Sequence, residues 1–219
     1  MANKILRLLI FDLDGTLVES REDIATATNQ MRQHYSLPPL PQPSVDKLIG
    51  SGIRELVRRA LNDPGAEKLD QAQAQFQVFY NDHCLDQTRL YPEVSEVLRY
   101  FRQQGKKMAV ATNKKTDLSK KILAGLGVGG MFDLVIGGDG QYKRKPDPEG
   151  LSAIMAHLGC SAEETAMIGD SSLDIQAGKA AGVAVTCGLS YGIGDPEILK
   201  ASGPDHLLGS FGQLREIIL

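Results

Sequence analysis

Four clusters of polar residues, each directly after a short apolar run, carry the chemistry that this chain could perform. The first is Asp12-Leu13-Asp14-Gly15-Thr16, which follows the run at residues 8–11. In an extended chain residues i and i+2 point the same way, so Asp12 and Asp14 would face one site and Leu13 the other side. Two carboxylates that close raise each other's pKa unless a cation or a shared proton compensates. Taken alone, the segment is equally compatible with a solvated turn, for which Asp-Gly is ordinary. The second cluster is Thr112-Asn113, with a helical pattern from Thr116 onward. A hydroxyl beside the N–H groups of a helix start makes an anion pocket, and simple capping uses the same residues. The third is Lys143-Arg144-Lys145-Pro146-Asp147-Pro148, in which Asp147 and Pro148 read as N-cap and first helical residue and Lys145 as a fixed cation. The fourth is Gly169-Asp170-Ser171-Ser172-Leu173-Asp174; if a helix begins here, Asp170 and Asp174 lie one turn apart on the same side.

The elements that must position these clusters are legible in the apolar pattern. Short apolar runs at 8–11, 108–111, 134–136, 166–168 and 183–185 read as strands. Between them, helical patterns near 93–104, 116–124, 149–158 and 173–181 end at Gly105, Gly125, Gly159 and Gly182. Strands alternating with helices imply βαβ units, hence an α/β fold with a Rossmann-like parallel sheet. Asp12, Thr112, Lys145 and Asp170 all follow the carboxyl ends of such strands, the edge where open α/β sheets bind ligands. Four carboxylates, a lysine and a hydroxyl converging there describe a hard-cation site beside a phosphate site. Oxygen ligands with room for water suit Mg²⁺ better than zinc.

One stretch breaks the alternation. Between about residues 19 and 84 there is no strand-like run, only helical patterns near 20–34, 53–61 and 67–83. They are separated by a turn at 37–43 and by 62–65; the four prolines between residues 38 and 43 exclude a helix interior. The expected organisation is a catalytic core of residues 1–16 and 87–219 with an all-helical cap at 17–86.

Composition bounds the function. The chain has 219 residues, 42% of them hydrophobic, with 24 basic against 27 acidic residues. It is long enough to bury roughly 70–75% of its unfolded surface without a disulfide or metal staple. A net charge of −3 leaves no overall cationic field for nucleic acid or a membrane surface, so an anion must be captured locally. The apolar run at the N-terminus is only four residues, Leu8 to Phe11, too short for a signal peptide. Cys84, Cys160 and Cys187 lack C-x-x-C spacing and read as reduced thiols. A cytoplasmic protein, monomeric or homodimeric, acting on a small phosphorylated metabolite is expected.

At these residues the chain resembles the haloacid dehalogenase superfamily of phosphatases, within it the phosphoglycolate phosphatase-like group. The segments that carry the resemblance are FDLDGTLVES at 11–20, LIGSGIRELVRRAL at 48–61, AVATNKK at 109–115, KPDPEGL at 145–151 and IGDSSLDIQAGKAAG at 168–182. The resemblance implies that Asp12 is the nucleophile that takes the phosphoryl group and that Asp14 protonates the leaving alcohol, then activates water. It implies that Thr112 and the backbone at Asn113 hold phosphate oxygens while Lys145 orients and neutralises Asp12 and the phosphate. Mg²⁺ would sit on the Asp12 carboxylate, the Asp14 main-chain carbonyl and the Asp170 carboxylate, with Asp174 in support. Glu19 stands where many relatives have Asp, and Glu93 where Gly is common.

Some features are set aside. Gly125-Leu126-Gly127-Val128-Gly129-Gly130 satisfies G-x-G-x-x-G, but a helix precedes it and an apparent strand follows, the reverse of a dinucleotide site. His34, His83, His157 and His206 have no ligand spacing. Arg54, after Gly50-Ser51-Gly52, could face a substrate carboxylate such as that of phosphoglycolate or lie on a solvated helix face. A sugar-phosphate mutase or another small-phosphate phosphatase shares the same core motifs. A phospho-accepting regulatory module shares the acids, the Thr and the Lys, but needs no cap.

Overall fold

A computed structural model describes residues 5–218. Leu8–Phe11 forms β1, followed by the two-residue strand β2 (Val18–Glu19). Four helices come next: α1 (Arg21–His34), α2 (Gln42–Asp46), α3 (Ile53–Ala60) and α4 (Ala66–His83). The chain then alternates through β3 (Arg89–Leu90), α5 (Val94–Gln103), β4 (Lys107–Ala111), α6 (Thr116–Gly125), β5 (Leu134–Ile136) and α7 (Glu149–Leu158). It ends with β6 (Thr165–Gly169), α8 (Ser172–Ala180), β7 (Val185–Leu189), α9 (Pro196–Ala201), β8 (His206–Leu208) and α10 (Leu214–Ile217).

The described residues form a six-stranded sheet in the order β5-β4-β1-β6-β7-β8, every neighbouring pair parallel. The α/β fold expected from the alternation is therefore present. Parallel strands covered on both faces have no need of polar alternation, and all four residues of β1 are buried. Leu8 and Ile10 pack with Ala109, Met167, Leu151, Ile154 and Ala177 on one face. Phe11, pointing the other way, meets Phe211 at 5.8 Å and Phe132 at 6.3 Å between ring centroids.

Two compact units divide the chain, one of residues 1–19 and 90–219 and one of residues 20–89. In the second unit, Ile24, Ala27 and Met31 of α1, Leu56 and Val57 of α3, and Leu69, Ala72, Phe76 and Tyr80 of α4 are buried. Asp23 ties the end of the unit to its start, accepting hydrogen bonds from the N–H groups of Gln87 and Thr88 and from the Thr88 hydroxyl. The helix α2 inside the proline-rich stretch was not expected. It forms because Pro43 falls at its second position, in the first turn, where a missing N–H costs nothing.

Two local expectations shift. The strand expected at 183–185 is β7, beginning only at Val185. Gly182, with φ of +70°, closes α8, and the Val183 N–H donates to Gly178 O at 3.1 Å, so Val183 belongs to the helix cap. Helix α7 begins at Glu149, with Pro148 as its N-cap and Asp147 Oδ1 accepting from the Glu149 N–H at 3.0 Å. The glycines 125–130 lie at the end of α6 and in the short 3₁₀ turn before β5.

Candidate active site

The sheet order reverses at β1: β4 and β5 lie to one side, β6, β7 and β8 to the other. In open α/β sheets such a switch point, here at the carboxyl ends of β1 and β6, is where ligands bind. Asp12 extends the ladder by one residue, its N–H donating to Ile168 O at 2.9 Å. The chain then bends, and Leu13 O accepts from the N–H groups of Leu17 and Val18. Leu13 is fully buried while Asp12 and Asp14 keep partial exposure, so the apolar residue anchors the loop and both acids remain on the accessible side.

Lys145 is held at both its backbone and its amine. The Asn113 amide clamps the backbone: Oδ1 accepts from the Lys145 N–H at 2.9 Å and Nδ2 donates to Lys145 O at 3.2 Å. The buried Nζ lies 2.7 Å from Asp12 Oδ1, forming an ion pair. It also donates to Asp174 Oδ1 at 2.6 Å. Burial alone would lower the Lys145 pKa, but Asp12 and Asp174 outweigh it and the amine is held above its ordinary range, so it stays charged. Asp174 Oδ2 accepts from the N–H and the hydroxyl of Ser171, closing a capping box at the start of α8.

Asp170 precedes α8 instead of sharing its first turn with Asp174, yet the two still converge. Its Oδ1 accepts from Thr16 Oγ1 at 3.0 Å, and its Oδ2 from the N–H groups of Ile193 and Gly194 at 2.8 and 2.9 Å. Backbone crowds this carboxylate. A Cβ on Gly15, whose φ is +83°, would stand 2.0 Å from Asp170 Oδ2, and one on Gly192 would stand 2.3 Å from Asp170 Cβ. Burial, then the charges of Asp12 and Asp174, raise the Asp170 pKa to about 7 despite the two N–H donors. Burial also raises Asp12 to about 6; Lys145 opposes the rise, while Asp174 and Asp14 add to it.

These values test whether a divalent cation suits the site. Asp12, Asp170 and Asp174 each offer an oxygen within 4.8 Å of the others. With Asp14 they make four carboxylates against two ammonium groups, Lys145 and Lys114. An all-oxygen donor set with two excess negative charges, in which buried Asp12 and Asp170 resist ionisation, fits a hard divalent cation.

The structure thus brings together Asp12, Asp170, Asp174, Lys145 and Asn113. Thr112, directly after β4, is buried, its Oγ1 accepting from the Lys114 N–H at 3.3 Å. Sequence inspection assigned no part to Lys114, whose Nζ donates to Asp14 Oδ1 at 2.6 Å. A lysine directly after a polar strand end was the available signal. Thr16 and the Gly192-Ile193-Gly194 turn around Asp170 were missed as well, because they become neighbours only through the fold.

Haloacid dehalogenase-like hydrolases as a family match residues 9–187. The chain belongs to the haloacid dehalogenase-like hydrolase family. It is 38% identical over 217 residues to a phosphoglycolate phosphatase of Pectobacterium atrosepticum, a match covering 97% of this chain and 92% of that protein. With a phosphoglycolate phosphatase of Haemophilus influenzae it shares 34% identity, covering 99% and 100%. The crystal structure of a predicted phosphoglycolate phosphatase from Haemophilus somnus superposes with a TM-score of 0.93 at 30% identity, covering 98% of both chains. The chain is thus a phosphatase-type hydrolase of this family in sequence and fold. No helix among the described residues is long and apolar enough to cross a membrane.

For this haloacid dehalogenase-like hydrolase the two departures noted in the sequence have structural readings. Glu93, the N-cap of α5, sits at φ of +65°, a left-handed conformation that favours glycine, and pairs with Arg215 at 3.1 Å. Glu19 is buried and accepts from the Tyr91 hydroxyl at 3.1 Å. Arg54 of α3 is engaged within the helical unit, paired with Asp70 and donating to Gln73 Oε1.

Proposed function

We propose that this hydrolase is a Mg²⁺-dependent phosphatase that cleaves small phosphate monoesters through an aspartyl phosphate on Asp12, with phosphoglycolate as its substrate. The observation that carries the proposal is the position of Asp12 Oδ1 at the sheet's switch point, 2.7 Å from the buried Lys145 Nζ. An anionic nucleophile can approach an anionic phosphate only where fixed cations offset the repulsion.

Asp12 attacks phosphorus: the bond from its carboxylate oxygen to phosphorus forms as the bond from phosphorus to the ester oxygen breaks. Asp14 gives a proton to the departing oxygen and recovers one from the water that then hydrolyses the acyl phosphate. Thr112 and the backbone at Asn113 hold phosphate oxygens, and Lys145 orients Asp12 and neutralises charge. The carboxylates of Asp12 and Asp170 and the main-chain carbonyl of Asp14 would hold Mg²⁺, with Asp174 in support. The ion, when bound, supplies charge neutralisation and polarises the phosphoryl oxygens. Residues 17–86 serve as a cap that governs substrate choice, and the enzyme works in the cytoplasm, which suits its three buried thiols.

The test is kcat/KM across a panel of phosphate monoesters that includes phosphoglycolate and β-glucose 1-phosphate, with acid-quench detection of phosphorylated Asp12. Preference for phosphoglycolate with a labelled Asp12 is expected. Isomerisation of the sugar phosphate, or a single stoichiometric phosphorylation without turnover, would overturn the proposal.

A further inference from the structure

Among the described buried groups, Lys114 is a cation for which the mechanism above has no use. Its side chain is only 5% exposed, and its Nζ stands 2.6 Å from Asp14 Oδ1, itself 13% exposed. Taking a lysine out of water is costly unless the partner geometry is good, so the buried pair holds both groups in place. The backbone that presents Lys114 is also fastened. Its N–H donates to Thr112 Oγ1 at 3.3 Å, and its carbonyl accepts from the Gly138 N–H at 2.8 Å. Gly137 allows this approach, because a Cβ there would stand 2.5 Å from Lys114 O. The amine therefore projects from a fixed loop after β4 to the loop after β1.

We infer that Lys114 is a positioning residue for Asp14: by holding Oδ1 it fixes the rotation of the carboxyl group and so aims it at the leaving oxygen. The inference rests on the proposed role of Asp14 in protonating that oxygen. Lys114 itself exchanges no proton in the step. A proton passes from the Asp14 carboxyl group to the ester oxygen as that oxygen leaves phosphorus, and one returns from the attacking water. Proton transfer depends steeply on placement, whereas the attack of Asp12 depends on Lys145 and the phosphate contacts. Loss of Lys114 should therefore matter most where the leaving group most needs a proton.

The experiment compares Lys114→Met, Lys114→Gln, Lys114→Arg, Asp14→Asn and the double variant Lys114→Met/Asp14→Asn. Each is assayed for kcat/KM at saturating Mg²⁺ on 4-nitrophenyl phosphate, phenyl phosphate and an alkyl phosphate, with circular dichroism to establish the fold. Since a charge-assisted hydrogen bond is lost, the neutral variants should lose roughly 10- to 150-fold more on the alkyl phosphate than on 4-nitrophenyl phosphate. Lys114→Arg, which keeps the charge, should recover part of that selectivity. The double variant should show no more leaving-group dependence than Asp14→Asn, because both changes disable one device. A merely structural lysine would lower all three substrates together, and that result overturns the inference. So does a leaving-group penalty in the double variant equal to the product of the single penalties. If Asp14→Asn itself shows no leaving-group dependence, the role of Asp14 falls and the inference with it. Selectivity in Asp14→Asn without selectivity in the Lys114 variants removes the inference alone.

Discussion

Asp174 Oδ1 accepts a hydrogen bond from Lys145 Nζ at 2.6 Å, while the other oxygen of the same carboxylate closes the first turn of α8 through Ser171. One fully buried side chain therefore starts a helix and steadies the cation beside Asp12. Removing one partner of a buried pair costs about 3–5 kcal/mol because the other is left uncompensated. Asp174→Ala should lower Tm by about 6–20 °C and kcat/KM by at least about tenfold. Calorimetry and steady-state kinetics check both. An unchanged Tm would mean that the Asn113 clamp and Asp12 suffice to hold Lys145.

Asp12→Asn should abolish turnover and leave the fold intact, because it removes the nucleophile and keeps its shape. The net rise of the Asp12 pKa to about 6 means that burial and neighbouring acids disfavour its charge more than Lys145 favours it. In chelator at pH 8, the Tm of Asp12→Asn should therefore be no lower than that of the unsubstituted protein. Substantial activity in the folded variant would falsify an aspartyl-phosphate route.

Stabilisation by Mg²⁺ should grow as pH rises. Asp12 and Asp170 have folded-state pKa values raised to about 6 and about 7, above those of an unfolded chain. Between about pH 4 and 7 the native metal-free protein binds more protons than the unfolded one, so its stability falls as pH rises through that window. A divalent cation that relieves the repulsion is worth more at pH 8 than at pH 5, where it must displace protons. At about 100 times its Kd, Mg²⁺ should add about 2.7 kcal/mol, or about 5–11 °C in Tm. Differential scanning fluorimetry across pH checks this, and a shift that shrinks toward pH 8 would contradict it.

Gly192→Ala should weaken Mg²⁺ binding at least about tenfold, since displaced supporting groups around metal ligands typically cost about 10- to 100-fold. The added Cβ would stand 2.3 Å from Asp170 Cβ and 2.5 Å from Gly15 O, so the carboxylate must move. Gly15→Ala should do more damage, because its φ of +83° adds backbone strain to a 2.0 Å clash with Asp170 Oδ2. Titration calorimetry with Mg²⁺ checks both variants, and an unchanged Kd for Gly192→Ala would show that Asp170 is not a ligand.

Much of the fold is legible in the sequence alone, for a physical reason. Strands of a buried parallel sheet are short apolar runs, and helices between them keep a 3.6-residue period, so β1, β4, β5 and β6 and the helices flanking them stand out by composition alone. The run at 183–185 also reads as a strand, but its bounds are off, and the run at 206–208 does not read as one. The first mixes a helix cap with a strand start, and β7 itself contains Thr186, Cys187 and Gly188. The second, β8, has the sequence His-Leu-Leu and is an edge strand paired on one side, with no strong apolar signature.

For the site, the sequence by itself determined which residue types end the strands: Asp12 and Asp14, Thr112 and Asn113, Lys145, Asp170 and Asp174. Their order along the chain and their place after apolar runs follow from local pattern, which a single chain displays directly. Only the tertiary structure decided who touches whom. Lys145 bridges Asp12 and Asp174, Lys114 reaches Asp14 across 100 residues, and the N–H groups of residues 193 and 194 hold Asp170. These contacts depend on the strand order β5-β4-β1-β6-β7-β8, which brings loops distant in sequence to one edge of the sheet. Burial there, a property of the folded sheet edge and not of any residue, is also what lifts Asp12 and Asp170 out of the ordinary carboxylate range.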